Sequence, residues 1–355
     1  MTNLNDGQPS RGSHPAPRDY WYPVAMSSEV TDKPFGTSLH GERLAVVRLE
    51  GEPVVFQDLC IHRGSPLSRG SVDGSTLRCA YHGWEYDRSG ACVRIPQREP
   101  DAAIPAKARV VTYPTVERFG VIWGSIGDPV GEPGDMPEWD DPSCRTIFLP
   151  AFEWDATAGR MMENFLDAGH FAWVHTGLLG DPERPLVYTS PLTTEEEGFN
   201  YVVETEIRDE SNEDGWVREG IFYRFKLPFW FTVTESGYRP TERVAHGAEG
   251  AMDRENAPEA HYRFDIVLQP LERTRTRRYT WITRNYDLDP ESDEKYRSTQ
   301  QTVAMQDQPI VEAQRPEELP LDITAELHIK GVDAPAIALR RLLAERGLGA
   351  SVLAP

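Results

Sequence analysis

The sequence predicts an α+β protein in which a small all-β domain precedes a domain with an antiparallel sheet wrapped around helices. Three observations predict this fold class. Short runs of alternating apolar and polar residues, separated by turn residues, fill the first third of the chain. Longer strand candidates follow between residues 199 and 285. Helical patterns flank those strands on both sides, near residue 165 and after residue 290.

Residues 20–126 are predicted to form the all-β domain, after a mobile tail at residues 1–19 that is polar and rich in Pro and Gly. The clearest element is a hairpin, because apolar and polar residues alternate on both sides of Glu50-Gly51-Glu52. Further strand candidates are an aromatic-rich entry strand at Tyr20–Val24, then Arg109–Thr112 and Gly120–Gly124. A linker rich in Pro and Gly is predicted within residues 127–147.

The second domain is predicted over residues 148–355 and combines five long strands with three helices. A short strand at Phe148–Trp154 begins it, and a polar loop is predicted at Arg239–Ala257. The long strands are predicted at 199–208, 217–227, 229–236, 260–269 and 276–285, and the helices at Met161–Val174, Glu291–Ala313 and Ala336–Glu345.

A first metal-binding motif lies on loops of the all-β domain. Cys60-Ile61-His62 is followed, with sixteen residues between, by Cys79-Ala80-Tyr81-His82. Two cysteines and two histidines hold either zinc or a [2Fe–2S] cluster in which Cys binds one iron and His binds the other. Each segment here mixes one Cys with one His, which favours the two-iron cluster, because zinc fingers usually group Cys with Cys.

A second motif, Asn164-x2-Asp167-x2-His170-x4-His175, lies in the first predicted helix of the second domain. Two histidines and one carboxylate on one face of a metal, with open positions opposite, are typical of non-haem Fe(II) oxygen chemistry. Asp167 and His170 share a helix face. His175 lies five residues after His170, so the helix must end, bend or widen by a π-type turn for both imidazoles to converge.

Together the motifs Cys60-x-His62-Arg63-Gly64, Cys79-x-Tyr81-His82-Gly83-Trp84 and the His170/His175 segment resemble the Rieske non-haem iron oxygenases. The resemblance implies a Rieske [2Fe–2S] domain followed by a helix-grip catalytic domain with a mononuclear iron. The implied cluster ligands are Cys60, His62, Cys79 and His82. The implied iron ligands are His170, His175 and an acid on a late helix.

Asp307 is the predicted third iron ligand, because it precedes Pro309-Ile-Val-Glu-Ala, which resembles the corresponding family segment. Glu312 and Asp322 remain rivals. The resemblance also implies that Asp167 carries electrons from a cluster histidine of a neighbouring subunit in a ring-shaped homotrimer. The alternative is that Asp167 orients His170. Asn164 is expected either to position Asp167 or to satisfy backbone groups within the helix.

The implied function is that of an oxygenase component that uses O2 and electrons from a ferredoxin and/or a flavin-dependent NAD(P)H reductase. The short chain and the Pro309–Gln314 segment look most like the α-only vanillate and dicamba O-demethylases and toluenesulfonate methyl-monooxygenase. That group implies mono-oxygenation, by O-demethylation or hydroxylation, in aromatic catabolism. Alternatives are a cis-dihydroxylating dioxygenase, a hydroxylase of an alicyclic or natural-product substrate, and a non-enzymatic Rieske electron carrier.

Composition and charge limit which binding partners and which cellular compartment are expected. A net charge of −20 argues against nucleic acid, and the lack of a long uncharged apolar run argues against a membrane span. Cys92 and Cys144 are expected to be reduced, and the protein is expected to be cytoplasmic. Residues 60–98 hold six arginines against three acidic residues, so this segment is +3 while the rest is −23. This basic segment is expected to dock an acidic ferredoxin or reductase.

The sequence says least about which residues line the substrate pocket. Aromatic residues on the predicted strands could line it, although such residues are more often sheet core. Arg239 and Arg278 are candidate anchors for an anionic substrate. The aromatic candidates are Phe222, Tyr223, Phe225, Phe229, Trp230 and Phe231.

Overall fold

A computed structural model describes residues 15–99, 101–208, 215–236 and 261–349. Residues 1–14 of the predicted mobile tail lie outside the described residues. Within the rest of that predicted tail, Pro17–Asp19 forms a 3-10 turn. The described strands of the N-terminal domain are β1 (Tyr22–Met26), β2 (Phe35–Leu39), β3 (Glu42–Leu49), β4 (Glu52–Gln57), β5 (Ser71–Asp73), β6 (Thr76–Arg78), β7 (Glu85–Tyr86), β8 (Cys92–Arg94), β9 (Thr112–Tyr113), β10 (Thr115–Arg118) and β11 (Val121–Gly124).

These strands form three small antiparallel sheets, in the orders β1-β11-β10, β2-β3-β4-β9 and β5-β6-β7-β8. The predicted hairpin is confirmed, because β3 and β4 pair across Glu50 and Gly51. Both turn residues have a positive φ, of 55° and 88°, as a tight two-residue hairpin requires. A separate apolar core containing Val47, Phe56 and Leu77 lies between two of these sheets and includes the side chains of Cys60 and Cys79.

The C-terminal domain is built on a nine-stranded antiparallel sheet with the order β12-β20-β19-β18-β17-β16-β14, to which β13 and β15 add at β20 and β16. All five predicted long strands are present within two to three residues of their expected bounds. The elements are β12 (Arg145–Phe148), β13 (Phe152–Trp154), α1 (Ala158–Leu166), α2 (Phe171–Val174), β14 (Val187–Thr189), β15 (Thr193–Glu195), β16 (Gly198–Arg208), β17 (Trp216–Lys226), β18 (Trp230–Ser236), β19 (His261–Glu272), β20 (Arg275–Arg284), α3 (Asp293–Ala313) and α4 (Ala334–Arg346).

The two faces of the large sheet pack against different partners, because side chains alternate along each strand. Phe231 and Val233 of β18 face the helices and join the main core. Trp230 faces the N-terminal domain, where its ring centroid lies 5.7 Å from that of Trp123 on β11 and 6.2 Å from that of Trp281 on β20. Each such aromatic pair adds about 1 kcal/mol beyond its area burial, so this stack fixes the two domains against each other.

The prediction of one helix over Met161–Val174 is wrong. Helix α1 ends at Leu166, and Asp167 has an extended backbone, with φ −93° and ψ 136°. The Asp167 carboxylate then accepts the backbone N–H groups of Gly169 and His170, at 2.9 Å and 3.1 Å, which turns the chain into the short helix α2. A side chain that takes backbone donors in this way competes with the helix. The imidazoles therefore converge through a helix break and not through π-type widening.

Ion pairs hold α1 in place against the C-terminal helix. Arg160 of α1 lies 2.7 Å from Glu326, and Arg340 of α4 lies 2.7 Å from Glu163 of α1. Both guanidinium groups are almost fully buried, so their pairing with carboxylates is required for stability.

The predicted loop Arg239–Ala257 lies outside the described residues. Within the part of the chain that is described, no helix is long and apolar enough to cross a membrane.

Candidate metal centres

The two Cys-His segments fold into matching turns at one end of the N-terminal domain. The carbonyl of Cys60 accepts the N–H of Gly64 at 2.9 Å, and the carbonyl of Cys79 accepts the N–H of Gly83 at 3.0 Å. Both glycines have a positive φ, of 69° and 70°, which explains why glycine follows each segment. The rings of His62 and His82 meet edge to face across the two turns, with centroids 4.6 Å apart and planes at 65°.

The surroundings of this first centre suit a metal cluster. Both cysteines are buried, and the phenol oxygen of Tyr86 lies 3.0 Å from Cys60 Sγ. Burial raises the pKa of Tyr86 well above its usual value, so the phenol stays protonated and donates to the sulfur. His62 stacks on Trp84 with ring centroids 4.5 Å apart. Its Nδ1 is buried and has no hydrogen-bond partner among the described residues, as a metal-binding nitrogen would.

The second centre is formed where α1 and α2 meet α3. One donor atom from each of His170, His175 and Asp307 lies within 4.8 Å of the others. Asp307 Oδ1 is 3.4 Å from His170 Nε2 and 3.1 Å from His175 Nε2. Two ligands at right angles, each about 2.1 Å from one ion, are about 3 Å apart. The buried His175 Nε2 makes no hydrogen bond among the described residues, so these three side chains fit one metal ion.

Each imidazole is held at its other nitrogen. His170 Nδ1 lies 2.8 Å from Asp167 Oδ2, and His175 Nδ1 lies 2.7 Å from Gln306 Oε1. An acceptor at Nδ1 fixes the proton there and leaves the Nε2 lone pair for a metal. Sequence reasoning missed Gln306. Its position next to Asp307, together with the need of each metal-bound histidine for an acceptor, is the signal that could have found it.

The ionised carboxylate of the centre favours cation binding. Burial raises the pKa of Asp307, but the neighbouring imidazoles of His170 and His175 outweigh burial and hold that pKa at about 2. Burial lowers the pKa of His170, but hydrogen bonds to Asp167 and Asp307 outweigh it and raise the pKa of His170 to about 9. At physiological pH Asp307 is therefore an anionic ligand, whereas His170 releases one proton when its Nε2 binds a metal.

The structure places the remaining candidates as follows. Asp167 points back onto its own turn and orients His170, which is the alternative that the sequence left open. The side chain of Asn164 donates to Asp307 Oδ1 at 3.4 Å, because α1 packs against α3 at this point. Its backbone carbonyl accepts the N–H of Asp167 at 3.2 Å. Glu312 accepts from Asp155 N and from Gln308, and Asp322 accepts from Thr324, so both rivals to Asp307 are engaged away from the histidines.

The pocket candidates separate by sheet face. Tyr223, Phe225 and Phe231 are buried on the face that meets the helices. Phe222 is 38 % exposed on the opposite face, and Trp230 packs against the N-terminal domain, so neither lines a pocket beside the metal centre. Arg239 lies outside the described residues. Arg278 is almost fully buried, and its guanidinium lies over the ring of Phe165 on α1.

Comparison with known proteins assigns a family to each of the two domains. The model of the Rieske [2Fe-2S] domain matches residues 20–114, and the model of the vanillate O-demethylase oxygenase C-terminal domain matches residues 154–347. Methylxanthine N1-demethylase NdmA of Pseudomonas putida is 31 % identical over 318 residues, which cover 86 % of this chain and 83 % of that protein. The toluene-4-sulfonate monooxygenase system iron-sulfur subunit TsaM1 of Comamonas testosteroni is 30 % identical over 78 % of this chain and 81 % of its own.

The solved structures agree in fold over nearly the whole chain. The crystal structure of dicamba monooxygenase bound to dicamba is 25 % identical with a TM-score of 0.74, and the match covers 93 % of this chain and 98 % of that one. The predicted fold class, an α+β chain with an all-β Rieske domain before an antiparallel-sheet catalytic domain, is confirmed. The chain therefore belongs to the Rieske non-haem iron oxygenases, oxidoreductases that combine a [2Fe–2S] cluster with a mononuclear iron.

Proposed function

We propose that this protein is the oxygenase component of a multicomponent system and mono-oxygenates a small aromatic or heterocyclic substrate, with removal of a methyl group as the favoured outcome. The observation that carries this proposal is the convergence of His170, His175 and Asp307 beside the sheet, with both imidazoles held at Nδ1. The names of its relatives favour demethylation, since NdmA is a methylxanthine demethylase.

We assign the mononuclear iron to His170, His175 and Asp307, and the [2Fe–2S] cluster to Cys60, His62, Cys79 and His82. When bound, the iron supplies O2 activation with electrons from the cluster. The protein's own residues orient this chemistry. Asp167 and Gln306 fix the two imidazoles, and Asn164 contacts the Asp307 carboxylate. The helix-facing aromatic residues exclude water from the substrate side.

The proposed electron donor is a ferredoxin and/or a flavin-dependent NAD(P)H reductase that docks near the cluster. Of the six arginines in the basic segment, Arg78 and Arg94 pair with Glu85 at 2.9 Å and 2.7 Å. The other four arginines, Arg63, Arg69, Arg88 and Arg98, are exposed and can attract an acidic partner. A homotrimer in which Asp167 receives electrons from a neighbouring His82, acting in the cytoplasm, completes the proposal.

Product analysis tests the reaction. The purified protein would be reduced chemically and exposed to O2 with a panel of methoxylated and unsubstituted aromatic acids and N-methylated heterocycles. Loss of a methyl group with release of formaldehyde is the expected result. A gain of two oxygens and two hydrogens would replace the proposal by a dioxygenase. An iron content of about two per chain, where an oxygenase holds about three, would favour an electron carrier.

Replacing Gln306 by Met is expected to weaken iron binding by about 10-fold to 100-fold, because His175 Nδ1 loses its acceptor and the ring loses its fixed tautomer. Iron retained per chain after dialysis against a chelator would measure the effect. Gln308→Met is the matched control, since Gln308 bonds Glu312 and does not contact His175. Equal iron retention in the two variants would contradict an orienting function for Gln306.

Replacing Tyr86 by Phe is expected to lower the reduction potential of the cluster by about 40 mV, the equivalent of about 1 kcal/mol for one hydrogen bond to sulfur. The lost phenol donor leaves more charge on Cys60 Sγ and disfavours the added electron. A spectroscopic redox titration measures the potential. Tyr113→Phe, which lies in the same domain on β9, is the control. An unshifted potential in Tyr86→Phe would rule out this hydrogen bond as a determinant of the potential.

A further inference from the structure

Arg278 of β20 is a buried cation without a counter-ion in direct contact. Its side chain is on the helix-facing side of the sheet, and the residue is 2 % exposed. Its Nε donates to Thr280 Oγ1 at 3.0 Å. Within the described residues, no carboxylate lies within ion-pair distance, and neither terminal nitrogen of the guanidinium donates a hydrogen bond.

Four other buried arginines of this chain are arranged differently. Each of the four has a carboxylate partner that neutralises its charge, as expected for a guanidinium removed from water. The pairs are Arg160 with Glu326, Arg277 with Glu29, Arg284 with Asp293, and Arg340 with Glu163. Arg278 differs from these four because no carboxylate among the described residues lies within ion-pair distance of it.

The position of Arg278 connects it to the iron centre. Its guanidinium carbon lies 5.6 Å from the ring centroid of Phe165, the residue that follows Asn164 on α1. Asn164 in turn contacts Asp307. Burial lowers the pKa of Arg278 to about 10, and the negative charge of Asp307 opposes this change. Arg278 is thus charged at neutral pH, and a metal bound to Asp307 would weaken the electrostatic attraction between the two side chains.

We propose that Arg278 binds the anionic group, a carboxylate or sulfonate, of an aromatic substrate and so selects acids over neutral analogues. The proposal rests on the proposed function, because it places the substrate between the helices and the sheet. A guanidinium with two free nitrogens matches a planar carboxylate through two parallel hydrogen bonds and binds a sulfonate with one or two of its oxygens. An anion at this position would also neutralise a charge that is otherwise costly to bury.

Binding to the oxidised, iron-loaded protein without O2 tests the proposal separately from turnover. The probes are 4-methoxybenzoate and 4-methylbenzenesulfonate, each paired with its neutral amide, and calorimetry gives the dissociation constants. Each acid is compared with its own amide, so the two pairs distinguish carboxylate from sulfonate recognition. We expect one acid at least to bind about 30-fold more tightly than its amide. Equal binding of acid and amide in both pairs, or no binding of either acid, would overturn the proposal.

Variants of Arg278 show whether that preference comes from this residue. Arg278→Gln is expected to abolish the preference for the acid while amide binding is kept, and Arg278→Lys is expected to restore part of it. A preference that is unchanged in Arg278→Gln would place the anion elsewhere. Because binding is measured without electrons or O2, a protein that binds acids but makes no product would contradict the proposed reaction and leave the assignment of Arg278 intact.

Thermal unfolding provides a readout that needs no ligand. If Arg278 is kept for binding, Arg278→Met should raise the Tm of the iron-loaded protein by about 2 °C or more, because an unpaired buried charge is removed. Arg284→Met is the matched control. It breaks a buried pair with Asp293 at 2.7 Å, so its Tm should fall. A lower Tm in both variants would mean that Arg278 supports the fold, and the proposal would fail.

Discussion

Replacing Asp307 by Ala is expected to reduce the iron content from about three to about two per chain and to lower turnover to background. The carboxylate is the only anionic group whose oxygen lies within 3.4 Å of both imidazoles among the described residues. Without it, two neutral imidazoles remain, and the site loses the charge that attracts a divalent ion. Metal analysis and the absorption of the cluster, which should not change, measure the result.

Matched carboxylate variants separate ligation from general effects of charge. The two control variants are Glu312→Gln and Asp322→Asn. Glu312 lies five residues after Asp307 on α3, and Asp322 lies in the segment that follows this helix. Neither acid contacts the histidines. The Glu312 carboxylate accepts the backbone N–H of Asp155, and the Asp322 carboxylate accepts the hydroxyl of Thr324. Both variants should keep about three irons per chain. Full iron content in Asp307→Ala, or loss of iron in either control, would assign the third ligand elsewhere.

The parts of the fold that were predictable are those in which local pattern and tertiary structure agree. The bounds of the five long strands were predicted within a few residues, and two of these strands, β19 and β20, are buried on both faces. The Glu50-Gly51 turn was predictable because glycine, here Gly51, adopts positive φ without strain. The Cys-His segments were identified by their spacing, which a packed core alone does not require.

The break after Leu166 was not predictable from periodicity. Phe165, Phe171 and Trp173 have helical spacing, and the interruption depends on where a single carboxylate points. The same limit applies to Gln306 and Asn164. Which polar side chain contacts which metal-site residue is decided by the packing of α1 against α3, over more than a hundred residues of sequence separation. A sequence pattern predicts the donors and acceptors that are present, whereas only the fold pairs them.

Replacing Asp167 by Asn is expected to lower turnover by about 100-fold or more while both metals stay bound. The amide oxygen can still accept the Gly169 N–H, although the second bond, from His170 N to the other carboxylate oxygen, is lost. We expect the remaining bond to keep the helix break and the position of His170. The variant no longer offers a carboxylate to His170 Nδ1, and it removes the negative charge that would link this centre to a neighbouring cluster. Steady-state turnover and iron content in the same preparations measure the two effects, and normal turnover would refute both functions of Asp167.

A mixed assembly separates the two functions. Asp167→Asn chains, which keep their cluster, would be co-expressed with Cys79→Ser chains, which lack the cluster but keep Asp167. If Asp167 receives electrons from the next subunit, an Asp167→Asn chain supplies the cluster that a neighbouring Cys79→Ser chain lacks, and the mixture should be far more active than either variant alone. If Asp167 only orients His170 and electrons pass within one chain, mixing restores nothing. The carboxylate is 35 % exposed although it makes three hydrogen bonds, so it remains accessible to an approaching imidazole, and we expect restoration.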